Sequence, residues 1–310
     1  LSHIEEVIGI DSLNNAYDNN LKKLRLENLN NLENFKYLQL NFSDKNDLHK
    51  NESIFHDCDV LIHLGARAGV RQSFNDPEKY LMDNTLGTIN LSLQVKENNI
   101  PKFIIASTSS IYGDTGEQLA VENKDELLYP PSIYASTKSF GEILAQNILE
   151  DTNTHIQIPR FFTVYGPYGR PDMSILRFIH WICKGEKLIL YGDGNQRRSF
   201  TYVDDIVNGL IALMEYEDSG TFNFGSNETW SLNEVIEIIE MNTGKKADIS
   251  FEKRAYKDVD IVLPNLNKSN NILNWKPTTN IKDGIMNTVN WYLANQEKLK
   301  DIKFKYDYEK

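Results

Sequence analysis

The stretch Phe103-Ile104-Ile105-Ala106-Ser107-Thr108-Ser109-Ser110-Ile111-Tyr112-Gly113 opens with four apolar residues and stops in a run of hydroxyls. A short apolar run bounded by polar residues reads as a strand buried on both faces, as in a parallel sheet. Ligands of open α/β sheets bind beyond the carboxyl ends of such strands, so these hydroxyls point to a crevice. Taken alone, the cluster reads more simply as a Ser/Thr-rich turn.

Working outward, similar runs stand at Val7-Ile8-Gly9-Ile10, Tyr37-Leu38-Gln39-Leu40 and Val60-Leu61-Ile62-His63, and a further strand is predicted from His155 to Phe161. Helices are predicted between them at Asn19 to Leu32, Tyr80 to Asn98 and Ile133 to Leu149. In the last, Ile133, Phe140, Leu144 and Ile148 recur at helical spacing. This alternation predicts an α/β fold with a Rossmann-type, doubly wound parallel sheet. After Tyr165 the texture changes. The turn-rich Gly166-Pro167-Tyr168-Gly169-Arg170-Pro171 leads into a helix from Ser174 to Lys184 and a strand from Lys187 to Tyr191. Further helices are predicted at Val203 to Glu215, Leu232 to Thr243 and Ile281 to Ala294, and the charged tail from Asp301 is expected to fray. Two domains are expected: residues 1–165, and residues 166–310 as a smaller α+β lobe.

The chain has 310 residues, 40% hydrophobic and 25% charged, an ordinary globular balance. Its 33 basic and 44 acidic residues give a net charge of −11, which disfavours nucleic acid or an anionic membrane as partner. No run approaches ~18 apolar residues, so no membrane span is expected. Two cysteines, Cys58 and Cys183, have no metal-type spacing, so no metal is expected and a reducing cytoplasm is the simplest location.

Asp11 closes the first apolar run. In a dinucleotide fold an acid at the end of the second strand bonds the adenosine ribose hydroxyls and repels a 2′-phosphate, which favours NAD. The plainer reading is an Asp that caps a turn. The glycine fingerprint belongs ~20 residues earlier, and counting back runs off the front of the chain. Gly9 is the single glycine among the first 64 residues. A truncated first strand and glycine loop is therefore expected; the alternative is a chain that has lost its cofactor loop.

Tyr134-Ala135-Ser136-Thr137-Lys138 puts a phenol and an ammonium four residues apart on one helical face. A neighbouring cation favours phenolate, so the phenol becomes a usable base near neutral pH. The spacing alone is weak, since it recurs at Tyr306 and Lys310. Context strengthens it: Thr108 lies 26 residues upstream, and a hydroxyl, a phenol and a lysine together suit proton transfer at an alcohol.

With these motifs the chain resembles the extended short-chain dehydrogenase/reductases of the NAD-dependent nucleotide-sugar epimerase/dehydratase family. The blocks that carry the resemblance include His63-Leu64-Gly65-Ala66, Asp83 to Thr88, the hydroxyl cluster, Tyr134 to Lys138, Arg160 to Pro167 and Arg198 to Asp205. The resemblance implies Tyr134 as general base, Lys138 as its partner and ribose anchor, and Thr108 as the hydroxyl that positions the sugar oxygen. It implies NAD held by Asp11, Asn14, Asn41, Phe42, Leu64, Gly65, Ala66 and Asn84, with Phe161 beside the nicotinamide. Asn41 stands where the family usually has Asp. On the substrate side it implies Ser109, Ser110, Thr163, Arg198 at the diphosphate and Asp258 at the uridine ribose. Ser199 replaces the usual acidic neighbour of that arginine.

The resemblance also bears on the subfamily. Dehydratases of the family carry Asp-Glu directly after the catalytic Thr, and uronate decarboxylases carry Glu at the second position. Ser109 and Ser110 supply no carboxyl group. Gly65 to Ser73 and Tyr165 to Met173 are similar to UDP-glucuronate 4-epimerases, where Arg170 could bind the C6 carboxylate; a turn-stabilising arginine is the equal alternative. The implied activity is conversion of UDP-glucuronate to UDP-galacturonate through a transient 4-keto sugar. The alternatives are a 4-epimerase of UDP-glucose or UDP-N-acetylhexosamine, and a cofactor-free binding protein of the same fold. The helices Tyr80 to Asn98 and Ile133 to Leu149 match those that pair in the family's dimers, so a homodimer is implied.

Overall fold

In the computed structural model of the chain, residues 4–123, 129–253 and 261–304 are described. Asp258, Tyr306 and Lys310 lie outside them. The predicted apolar runs become strands: β1 (Val7–Asp11), then helix α1 (Asn19–Leu29), β2 (Phe35–Gln39) and β3 (Val60–His63). After α2 (Gly87–Glu97) come β4 (Lys102–Ile105) and the two-residue β5 (Ser107–Thr108). Helix α3 (Ile133–Ile148), β6 (His155–Phe161) and β7 (Gly220–Phe224) complete the labelled set.

β3 runs parallel to β4, with Val60 opposite Lys102 and His63 opposite Ile105. β4 runs parallel to β6, with Phe103 opposite Ile156. Together they make a four-stranded sheet of order β7-β6-β4-β3, with β5 added against β6. β1 and β2 form a separate parallel pair in register from Val7–Phe35 to Asp11–Gln39. Among the described residues no strand joins β1 to β3. Phe103 and Ile105 of β4, Leu91 and Val95 of α2, and Ile156 and Ile158 of β6 bury one core, on which Ile10 and Leu38 also pack. Each such side chain contributes ~1.5–3 kcal/mol by leaving water.

The chain divides into two compact units that interleave in sequence. One comprises Leu1–Tyr112, Glu122–Arg160 and Ala212–Phe222; the other comprises Gly113–Val121, Phe161–Ile211 and Asn223–Lys310. The second unit holds the predicted helices Ser174–Lys184, Leu232–Thr243 and Ile281–Ala294, and Val203–Glu215 as far as Ile211. Its strand Lys187–Tyr191 pairs in parallel with Asp248–Glu252. The buried carboxylate of Asp205 accepts from Thr278 N–H (3.1 Å), Thr278 Oγ1 (2.8 Å) and Thr279 N–H (3.1 Å), so this acid pins a loop.

Two expectations are corrected. The single helix predicted from Tyr80 to Asn98 is interrupted: Pro77–Tyr80 is followed by a π-helical turn, Leu81–Leu86, before α2 begins. The wide turn carries buried Asn84, whose Oδ1 accepts from Arg67 N–H (2.7 Å) and whose Nδ2 donates to Arg67 O (2.9 Å) and Thr137 Oγ1 (3.0 Å). Such turns often carry a functional side chain. The start of the tail does not fray. Ile302 and Phe304 are buried, and the Phe304 ring stacks on His180 at 3.9 Å.

Candidate active site

Helix α3 starts where Ser132 caps it, its Oγ accepting from Ala135 N–H at 3.1 Å. That start fixes Tyr134 in the first turn and Lys138 one turn later. The helix packs against β5 and the following turn Ser109–Ile111, so the phenol–ammonium face and the hydroxyl cluster belong to one packed assembly. Tyr134 is half-buried, its ring edge-on to Tyr80 at 6.3 Å. Lys138 is buried, and desolvation lowers its ammonium pKa to about 8 while Glu142 pulls the other way. Thr108 is buried and its Oγ1 accepts from Ser110 N–H at 3.1 Å, which shapes the turn. Ser109 and Ser110 are half-buried.

Behind this assembly lies a polar chain. His63 Nε2 meets Thr88 Oγ1 at 3.0 Å, and Thr88 Oγ1 donates to Asn84 O at 2.6 Å. Burial, helped by the Lys138 charge, lowers the His63 pKa to about 3, so the imidazole is neutral. Asn84 therefore ties the π-turn to Thr137, whose own hydroxyl donates to Tyr134 O at 2.9 Å.

The cofactor candidates lie at the carboxyl ends of β1, β2 and β3, where dinucleotides bind in such sheets. Asp11 Oδ1 accepts from Leu13 N–H (2.6 Å) and Lys22 Nζ (3.0 Å), and the left-handed Leu13 turns the chain sharply after it. Asn14 Oδ1 accepts from Ala16 N–H at 3.1 Å. Asn41 is exposed and its Oδ1 accepts from Ser43 N–H. Leu64 and Ala66 are exposed beyond β3. Gly65 between them is required by the Phe42 ring, which a Cβ would approach to 2.5 Å. A half-exposed carboxylate at a strand end and a glycine-lined, open loop fit the ribose and adenine side of NAD.

In the second unit, Phe161 is half-buried and stacks on Phe224 at 6.3 Å. Thr163 O accepts from Thr201 N–H at 2.9 Å. Thr163 and Arg170 line a small pocket with Tyr165, Met173 and Phe200. The Arg170 Nε donates to Asp172 Oδ1 at 3.0 Å and its Nη2 to Asp172 Oδ2. Sequence reading missed this buried acid, although it sits two residues from the arginine. Arg198 Nη1 donates to Arg197 O at 2.8 Å. Ser199, where an acid was expected, is a buried pin: its Oγ donates to Ser226 O (2.9 Å) and accepts from Ser226 N–H (2.8 Å).

A model of the GDP-mannose 4,6-dehydratase family matches residues 1–288. The chain belongs to this family. Within it, the chain is 40% identical over 300 residues to UDP-glucuronate 4-epimerase of Thermodesulfobacterium geofontis, covering 96% of this chain and 91% of that one. Its fold is similar to the crystal structure of the Bacillus cereus UDP-glucuronic acid 4-epimerase in complex with UDP-glucuronic acid and NAD. The TM-score is 0.87 at 31% identity, covering 93% and 91% of the two chains. A UDP-N-acetylglucosamine 4-epimerase from Methanobrevibacter ruminantium M1 is similar too, with a TM-score of 0.83 at 28% identity over 94% and 91%.

Proposed function

We propose that the chain is an NAD-dependent UDP-sugar 4-epimerase acting on UDP-glucuronate. The observation that carries this reading is the packing of the Tyr134–Lys138 helix on the strand and turn that hold Thr108, Ser109 and Ser110. Bound NAD would supply a hydride acceptor and donor at sugar C4. Asp11, Asn14 and the loop Leu64 to Ala66 would hold its adenosine end, Lys138 its nicotinamide ribose, and Phe161 would flank the nicotinamide. Tyr134 takes the O4 proton and returns it, Thr108 orients O4, and Lys138 favours the phenolate. Ser109 and Ser110 bring no carboxyl group that could expel water, so the sugar keeps its hydroxyls. Thr163 and Arg198 serve the substrate side, and so does Asp258 by resemblance.

A second reading, for a neutral sugar, is favoured by Arg170, whose Nε–Nη2 edge is engaged by Asp172. Turnover of UDP-glucuronate, UDP-glucose and UDP-N-acetylglucosamine by one preparation separates the two. Preference for a neutral sugar overturns the glucuronate reading. Tyr134→Phe is expected to cut turnover ~10²–10⁴-fold with NAD still released on heating; near-normal turnover removes the assigned base. Absence of both NAD binding and turnover would instead favour a binding protein of the same fold.

The same proposal includes a homodimer through α3 and the π-turn, supported by exposed Phe140, Leu81 and Met82. It also places the enzyme in the cytoplasm, supported by two free thiols, Cys58 and Cys183. Among the described residues no helix is long and apolar enough to cross a membrane, and measured fractionation with a cytosolic marker checks the location.

A further inference from the structure

Glu142 follows Lys138 by one helical turn and has no part in the chemistry above. It is 1% exposed. Its carboxylate accepts from Arg160 Nε (3.1 Å) and Nη2 (2.8 Å), and from Ser107 Oγ. Arg160, 2% exposed, also donates from Nη1 to Tyr112 OH at 3.0 Å. One buried acid thus joins the strand that bears Thr108, the helix that bears Tyr134 and Lys138, and the strand that runs into Phe161. A buried charge of this kind is costly unless fully paired, and every partner here is an element of the candidate site.

Resting on the epimerase reading, we infer that Glu142 is a positioning residue: it locks these three segments in register and provides the fixed negative charge that Lys138 faces along its own helix. Desolvation alone drives Lys138 toward the neutral amine, and Glu142 is the group opposing it. The other charged groups nearby have their own partners. Asp83 holds Arg67 at 2.7 Å, Lys79 holds Asp76, and Lys96 donates to Ile148 O at the far end of the helix. His63 is neutral, Tyr80 donates to Ala68 O, and Arg71 lies on the packed helix Val70–Asn75. Without Glu142, the Lys138 ammonium loses the charge that opposes its desolvation, and phenolate formation at Tyr134 loses the cation.

The test uses the full chain and the variant Glu142→Gln, which keeps a hydrogen-bond acceptor and removes the charge. The Lys138 side-chain carbon shift, followed by NMR against pH, is expected to show a midpoint lowered by about one pH unit. The alkaline limb of kcat for the UDP-sugar is expected to move down by a similar amount, with KM little changed. Glu142→Asp should restore both. Because a lone Arg160 could unfold the single variant, Glu142→Gln/Arg160→Gln is the second folded variant; it must still lower the Lys138 midpoint, by less than the single variant because the opposing Arg160 charge is removed too. An unmoved midpoint in the folded variants overturns the inference. The midpoint is read without substrate, so it stands apart from the epimerase reading, which fails instead if the parent chain turns over no UDP-sugar.

Discussion

His63 shows how much one buried side chain can say about pH. It titrates near 3 in the folded chain and near 6.5 once unfolded. As pH falls, the unfolded chain takes up the proton first. The stability contributed by the neutral imidazole is therefore full above 6.5 and is lost as pH drops toward 3. His63→Gln is expected to flatten the loss of urea stability between pH 7 and pH 4 by about 3 kcal/mol relative to the parent. His180, lowered to about 4, is present in both chains and cancels. Parallel pH curves for the two proteins would show that the His63 proton is not the cause. At this scale the sequence was partly readable. Tyr134, Lys138 and Thr108 are singled out by a spacing taken together with a hydroxyl cluster, and the fold packs the segments that bear them. Glu142 does not, because Arg160 lies 18 residues away and only folding joins the two.

At the level of the element, Phe42 and two glycines make one fitted unit. The ring fills the space beside Gly65 and Gly87, and a Cβ at either would approach it to 2.5 Å. Gly87→Ala is expected to cost ~1–3 kcal/mol by overpacking. Adding Phe42→Leu should recover most of it. Chemical denaturation of the single and double variants checks this, and no recovery would mean that another neighbour sets the limit. Most elements were legible from their apolar pattern, since β3, β6 and the helices Ser174–Lys184, Val203–Glu215, Leu232–Thr243 and Ile281–Ala294 match their predicted spans. Gly220–Phe224 and Asp248–Glu252 were not, because each carries two apolar residues split by a polar one and forms no continuous apolar run. The π-turn was hidden for another reason. The residues Leu81 to Leu86 have ordinary helical character, and the departure comes from the distant partners of Asn84.

On the scale of the molecule, the proposed dimer has a direct check. Phe140 is 54% exposed on α3, and Leu81 and Met82 are exposed on the π-turn that packs against that helix. Sedimentation should give twice the monomer mass of 35.7 kDa, and Phe140→Glu should return the chain to monomer. A parent chain that sediments as a monomer removes the dimer.

The break between β1 and β3 carries a further consequence. β4 is enclosed by β3 and β6, and Phe103, Ile104 and Ile105 are at most 1% exposed. Among the described residues β1 has one strand neighbour, and Val7 and Ile8 are 39% and 36% exposed. Resistance to deuterium uptake should therefore be graded across a single unit, with amides of β4 lasting longest and those of β1 surrendering early. Early exchange in β1 would make that strand a hinge in time rather than in space, and the residue it carries at its end, Asp11, would come and go with it.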